Sequence, residues 1–122
     1  MKVIDASAVS AVLFGEPEGH LIADRLGEEL LAAPTLLAYE VANTCWKKLR
    51  RDPELRTELL AAYARLPRLG LRHLRVELPE VMRLAEKTGL TVYDASYLWL
   101  ARALDVELIS LDTQVLQAAA KI

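Results

Sequence analysis

The chain has 122 residues, 53% of them hydrophobic, and a formal net charge of −2. That suits a single domain spanning 1–122 with a true core, and it excludes a disordered protein. No apolar run is long enough to span a bilayer, and a lone cysteine, Cys45, excludes both an intramolecular disulfide and a cysteine-based zinc site.

In chain order, Lys2–Asp5 reads as a short buried strand, followed at once by an apolar helix through Phe14. An acid so close to Met1 interrupts any secretory leader, so a cytoplasmic protein is expected. Gly15-Glu16-Pro17-Glu18 is a break, and Pro17 is placed to open a helix toward Leu26. Leu30–Ala32 is a second strand, and Pro34 is expected to open a helix to about Arg51. Asp52-Pro53 stops that helix and starts another through about Leu66. Leu71–Val76 reads as a third strand, and Leu78–Lys87 as a helix ended by Gly89. Asp94–Leu104 is helical, Val106–Ser110 is a strand, and Asp112–Ala119 is a last helix.

Strands that alternate with helices point to an α/β domain with a mostly parallel sheet. Ligands of such sheets sit beyond the carboxyl ends of the strands, where strand order reverses. Asp5 closes the first strand and Asp112 follows the last, so both point to that edge.

Charge is unevenly spread. Residues 47–75 hold nine bases against three acids, a balance of +6, while the rest holds six bases against fourteen acids, −8. A polyanion suits the first part and a cation the second. Lys47, Lys48, Arg50, Arg51 and Arg56 are the candidates for contact with a nucleic-acid backbone; simple solvation of a helix face is the alternative for each.

Four acids stand beside apolar runs: Asp5, Glu40, Asp94 and Asp112. Asp5, Asp94 and Asp112 each precede a helix, where aspartate is also a good N-cap, so capping and chemistry compete for each. Glu40 differs. It is expected well inside its helix, with no base three or four residues away to neutralise it. A carboxylate in apolar surroundings is costly unless paired or metal-bound, which favours a functional role.

Asn43 shares the face of Glu40 and either orients a carboxylate or is a buried amide; Ser7 and Ser110, each two residues from an acid, are either donors to it or ordinary helix-start and strand-end serines. Trp46 and Trp99 are expected to pack in the core, with nucleic-acid stacking as the alternative, and Tyr39, Tyr93 and Tyr97 to pack there, with pocket lining as the alternative; neither His20 nor His73 has the company of a metal ligand.

The stretches Val3-Ile4-Asp5-Ala6-Ser7-Ala8, Leu37-Ala38-Tyr39-Glu40-Val41-Ala42-Asn43, Thr91-Val92-Tyr93-Asp94-Ala95-Ser96-Tyr97 and Leu108-Ile109-Ser110-Leu111-Asp112 resemble the four acidic motifs of PIN domains. The likeness is nearest to VapC-type toxins of toxin–antitoxin pairs and covers nearly the whole chain. It implies a three-layer α/β/α fold with sheet order 3-2-1-4-5. It implies a Mg²⁺- or Mn²⁺-dependent endoribonuclease with Asp5, Glu40, Asp94 and Asp112 as metal and catalytic residues, cleaving RNA phosphodiesters by metal-activated water. It also implies a homodimer held inactive by a small VapB-type antitoxin. The last motif departs slightly, with Ser110 where threonine is common.

Two other classes compete. A catalytically silent PIN-like module for protein or RNA binding is opposed by the four intact acids. A phosphotransfer domain of similar architecture is opposed by Ser7, which stands where an Asp-x-Asp pair would need its second acid.

Overall fold

The computed structural model describes residues 1–122. Four strands form β1 (Lys2–Ile4), β2 (Leu31–Pro34), β3 (Arg72–Leu74) and β4 (Leu108–Ile109). Seven helices connect and follow them: α1 (Ala6–Leu13), α2 (Gly19–Leu26), α3 (Leu37–Arg51), α4 (Arg56–Tyr63), α5 (Leu78–Thr88), α6 (Val92–Leu104) and α7 (Thr113–Lys121). Short 3₁₀ turns at Pro53–Leu55 and Leu66–Leu69 flank α4.

The sheet order is β3-β2-β1-β4, and every pairing is parallel. This is the expected 3-2-1-4-5 order without its fifth strand. After β4 the chain turns into α7, because residues 113–121 bury Val115 and Ala118 at helical spacing. The strand order moves one way from β1 through β3 and then jumps back to β4. Right-handed crossovers therefore send α1–α4 to one face of the sheet and α5–α6 to the other. The reversal falls between β1 and β4, which pair through Val3 with Leu108 and Ile4 with Ile109. A crevice opens there, just past the ends of both strands.

The core is continuous across the sheet: Val3, Ile4, Val9, Leu37, Val41 and Ile109 are fully enclosed. Gly19 is required by a close approach of α1 and α2, since a Cβ there would lie 2.5 Å from the Ala11 carbonyl oxygen. Gly89 ends α5 in the left-handed region, as its place in the sequence suggested.

Several boundaries differ from expectation. Pro34 ends β2 instead of opening α3; a proline at a strand end forfeits little of the ladder, and burial against the sheet outweighs its helix-starting tendency. β3 is shorter than Leu71–Val76, because it pairs only with Ala32–Pro34 of β2 and that strand ends at Pro34. Trp46, Tyr39 and Tyr93, expected in the core, are exposed, whereas Cys45 and Tyr97 are buried.

Candidate active site

Past the carboxyl ends of β1 and β4 lies a cleft of about 410 Å³, lined by Asp5, Glu40, Asp94 and Asp112 among others. Four elements converge to bring these acids together.

Asp5 leaves β1 in extended backbone and caps α1, its Oδ1 accepting the Ala8 N–H at 3.1 Å. The Ser7 hydroxyl donates to the same Oδ1 at 2.6 Å, and the Ser110 hydroxyl donates to Oδ2 in a short contact. Each serine oxygen also accepts a backbone N–H, from Leu111 for Ser7 and from Asp112 for Ser110, both at 3.0 Å. The two serines thus clamp the end of β1 to the end of β4 around one carboxylate that is only 5% exposed. A carboxylate offers about four acceptor sites. With three taken, Asp5 has one left, on Oδ2, and can bind a further group through a single oxygen.

Asp112 caps α7, with Oδ1 accepting from Gln114 at 2.8 Å and Val115 at 3.2 Å, which leaves Oδ2 turned to other partners. Asp94 does not precede its helix as the sequence suggested. The N-cap of α6 is Thr91, whose hydroxyl oxygen accepts the Asp94 N–H at 3.1 Å, and Asp94 lies in the first helical turn with no capping duty. Glu40 also lies in a first turn and not mid-helix, because α3 starts at Leu37. It is half-buried, and Oε1 accepts the Tyr97 hydroxyl at 2.6 Å.

Charge accumulates here without local compensation. Burial raises the Asp5 carboxyl above its ordinary range, and Asp112 adds to the rise; the bonds from Ser110, Ser7 and Ala8 pull the other way. Burial also raises Glu40, reinforced by Asp94 and Asp5 and opposed by the Tyr97 bond. Asp94 is raised by burial and then by Asp112 and Asp5, and a bond with the Thr91 side chain opposes the rise. The Tyr97 phenol is pushed far upward by burial and by its bond to Glu40, so it remains a donor at any physiological pH. None of the four acids enters an ion pair, and Lys47 is the only base that lines the cleft.

An all-oxygen, acid-rich donor set suits a hard divalent cation. No three carboxylates converge into a ready-made cage, but Mg²⁺ needs none: it is held through one or two carboxylates and keeps several waters. The open oxygens of Asp5 and Asp112 and the carboxylate of Asp94 fit that demand.

Of the auxiliary candidates, Ser7 and Ser110 touch Asp5, and Asn43 lines the cleft without a hydrogen-bond partner inside the protein. Tyr97 was expected to pack in the core, with pocket lining as the alternative; its ring is buried, at 2% exposure, and its hydroxyl reaches the site. Its spacing of three residues from Asp94 on one helix face was the available signal. Ser10, not singled out before, lines the cleft with a buried hydroxyl that lacks a partner.

The basic candidates separate. Lys47 faces the cleft. Lys48 is paired with Glu16 at 3.1 Å and lies over the Phe14 ring, and Arg51 is paired with Asp52 at 2.8 Å. Arg50 lies over Trp46, and Arg56 is exposed at the start of α4 without an ion pair.

Known proteins align with this arrangement over nearly its whole length. The sequence model of the PIN domain matches residues 2–121. "Ribonuclease VapC3" of Pyrobaculum aerophilum is 33% identical, with 93% of this chain and 90% of the relative aligned. "Exonuclease VapC9" of the same organism is 33% identical over 93% of this chain and 82% of its own. "Ribonuclease VapC1" of Mycobacterium tuberculosis is 33% identical over 95% and 89%. The crystal structure of PAE2754 from Pyrobaculum aerophilum superposes with a TM-score of 0.76 at 32% identity, covering 96% of this chain and 83% of that one.

Proposed function

The chain belongs to the PIN-domain family, and from that premise we propose that it is a metal-dependent endoribonuclease, the toxin of a VapBC-type toxin–antitoxin pair. The observation that carries this reading is the single cleft in which acids from positions 5, 40, 94 and 112 meet beside one lysine. Relatives named as VapC ribonucleases and an exonuclease support nuclease chemistry.

In this reading Asp5, Asp94 and Asp112 hold a Mg²⁺ or Mn²⁺ ion, with Glu40 as a further ligand or as the group that orients the attacking water. The ion supplies neutralisation of charge at the phosphoryl oxygens and activation of water for in-line attack. The protein does the rest. Ser7 and Ser110 fix the Asp5 carboxylate so that its one open lone pair faces the cleft. Tyr97 fixes Glu40 through its hydroxyl. Asn43, with its amide free at the cleft edge, is placed to bond the substrate or a water. Lys47 sets a positive charge at the mouth, where the phosphate backbone enters, with Arg50 and Arg56 extending that field. Pairing as a homodimer and silencing by a small VapB-type antitoxin over the acidic cleft complete the proposal, as does a cytoplasmic site of action. No helix is long and apolar enough to cross a membrane.

Purified protein with Mg²⁺ or Mn²⁺ should cut both linear and circularised RNA, whereas Asp94→Asn should cut neither. Cleavage of linear but not circular RNA would make the protein an exonuclease, as one relative is named. Undiminished cleavage by Asp94→Asn would overturn the mechanism, and RNA binding without cleavage in either metal would return the silent-module reading. Neutralisation of growth arrest by the small protein encoded immediately upstream tests the antitoxin.

A further inference from the structure

Trp46 is 55% exposed on α3, and Tyr39, seven residues earlier, is 81% exposed. Seven residues make nearly two helical turns, so the two rings project from the same side of α3, about 10 Å apart along its axis. Arg50 completes the stripe, its guanidinium 5.5 Å from the Trp46 ring centroid. Asn43 stands between the two rings on the same side, and both Asn43 and Lys47 line the carboxylate cleft. The stripe is therefore continuous with the site of chemistry. Lys47 and Arg50 enter no ion pair, while their neighbours Lys48 and Arg51 are held by Glu16 and Asp52.

Two flat rings left open to water on one helix face call for an occupant. Protein interfaces favour tryptophan, tyrosine and arginine but are depleted in lysine. Here a lysine and an arginine, both without acidic partners, are interleaved with the rings, and the stripe leads into a cleft proposed to handle phosphodiesters. Stacking surfaces set among free cations are how proteins hold single-stranded nucleic acid.

We infer that Tyr39, Trp46 and Arg50 form a base-stacking track that holds unpaired nucleotides flanking the scissile phosphate. The inference rests on the ribonuclease reading for the nature of the strand. Stacking needs a base with an open face, which a duplex does not offer, and it tolerates any base identity. Arg50 stiffens the Trp46 ring from one side and adds a positive charge within reach of the backbone.

The test is binding of a short fluorescein-labelled oligouridylate, and of the same strand annealed to oligoadenylate, by fluorescence anisotropy in EDTA. The wild type should prefer the single strand. Trp46→Ala should lose about tenfold in affinity for it, and Trp46→Phe, which keeps a ring, should retain most of it. In a Trp99→Phe background, where Trp46 is the only tryptophan, the single strand should quench its fluorescence. Equal affinity of wild type and Trp46→Ala, or equal binding of duplex, would overturn the track. Loss of self-association in Trp46→Ala with unchanged RNA affinity would assign the stripe to a second copy of the chain and overturn it as well. Cleavage assays separate this proposal from the one beneath it. If Trp46→Ala binds and cuts like the wild type while Asp94→Asn is inactive, the track is wrong and the ribonuclease stands. If Trp46 stacks on RNA that no metal causes to be cut, the track holds and the ribonuclease reading fails.

Discussion

The Tyr97 hydroxyl donates a 2.6 Å hydrogen bond to Glu40 Oε1, joining α6 to α3 across 57 residues of sequence. It is the only hydrogen bond between a protein side chain and the Glu40 carboxylate, and it aligns that group within the acidic cleft. Tyr97→Phe keeps the buried ring and removes only the donor. Nuclease turnover is expected to fall by about tenfold or more, as for loss of other groups that orient a ligand, with little change in the thermal midpoint. Steady-state kinetics alongside thermal melts check this; unchanged turnover would make the bond merely structural.

Ser110 both donates to Asp5 and accepts from the Asp112 N–H. Ser110→Ala therefore strips a buried carboxylate of one donor and orphans a backbone N–H at the start of α7. The expected cost is about 2 kcal/mol in denaturant unfolding, together with reduced activity. Ser110→Thr, which keeps the hydroxyl, should recover most of both.

Asp94 titrates above its ordinary range in the folded chain because of burial and the charges of Asp112 and Asp5. The folded state then holds its proton more tightly than the unfolded state does. Stability from this group is present at low pH and is lost as pH rises from the ordinary carboxylate value through the raised one. Asp94→Asn does not titrate, so in EDTA its thermal midpoint should gain on the wild type as pH rises from about 4 toward 7. Added Mn²⁺ should stabilise the wild type at neutral pH by binding the folded state. A difference between the two proteins that is flat with pH would refute the charge argument.

Thr91, not Asp94, caps α6. Thr91→Ala should cost about 1 kcal/mol of stability, whereas Asp94→Asn leaves the cap intact. The two variants thus dissociate folding from chemistry, and chemical denaturation of both, beside an RNA cleavage assay, reads the split.

Lys47 and Lys48 are adjacent in sequence but separate in role. Lys47 lines the cleft, while Lys48 is held by Glu16 and Phe14. Lys47→Ala should weaken RNA binding and lower the salt-dependence slope by about 1. Lys48→Ala should leave the slope unchanged and loosen the contact between α3 and the α1–α2 turn. Equal slopes for both variants would return Lys47 to the class of solvated charges.

Much of the fold is legible in the chain because its signals are local. Apolar runs of strand length, the break at Gly15–Glu18 and the stop at Gly89 mark the elements. Where β3 and Pro34 differ from expectation, the deciding factor was pairing with and burial against the sheet, and that depends on distant residues. Trp46 was misplaced for the same reason: a large ring predicts burial only when a partner surface exists, and α3 turns that ring to solvent.

The sequence by itself determined that four acids stand beside apolar runs, that two of them follow strands, and that positive charge gathers in one segment. Those properties belong to single residues and their near neighbours. Only the tertiary structure decided that Ser110 joins Ser7 in clamping Asp5 and that Tyr97 serves Glu40. Each depends on contact between segments remote in sequence, and such contacts exist only once reversal of strand order brings the ends of β1 and β4 beside α3 and α6.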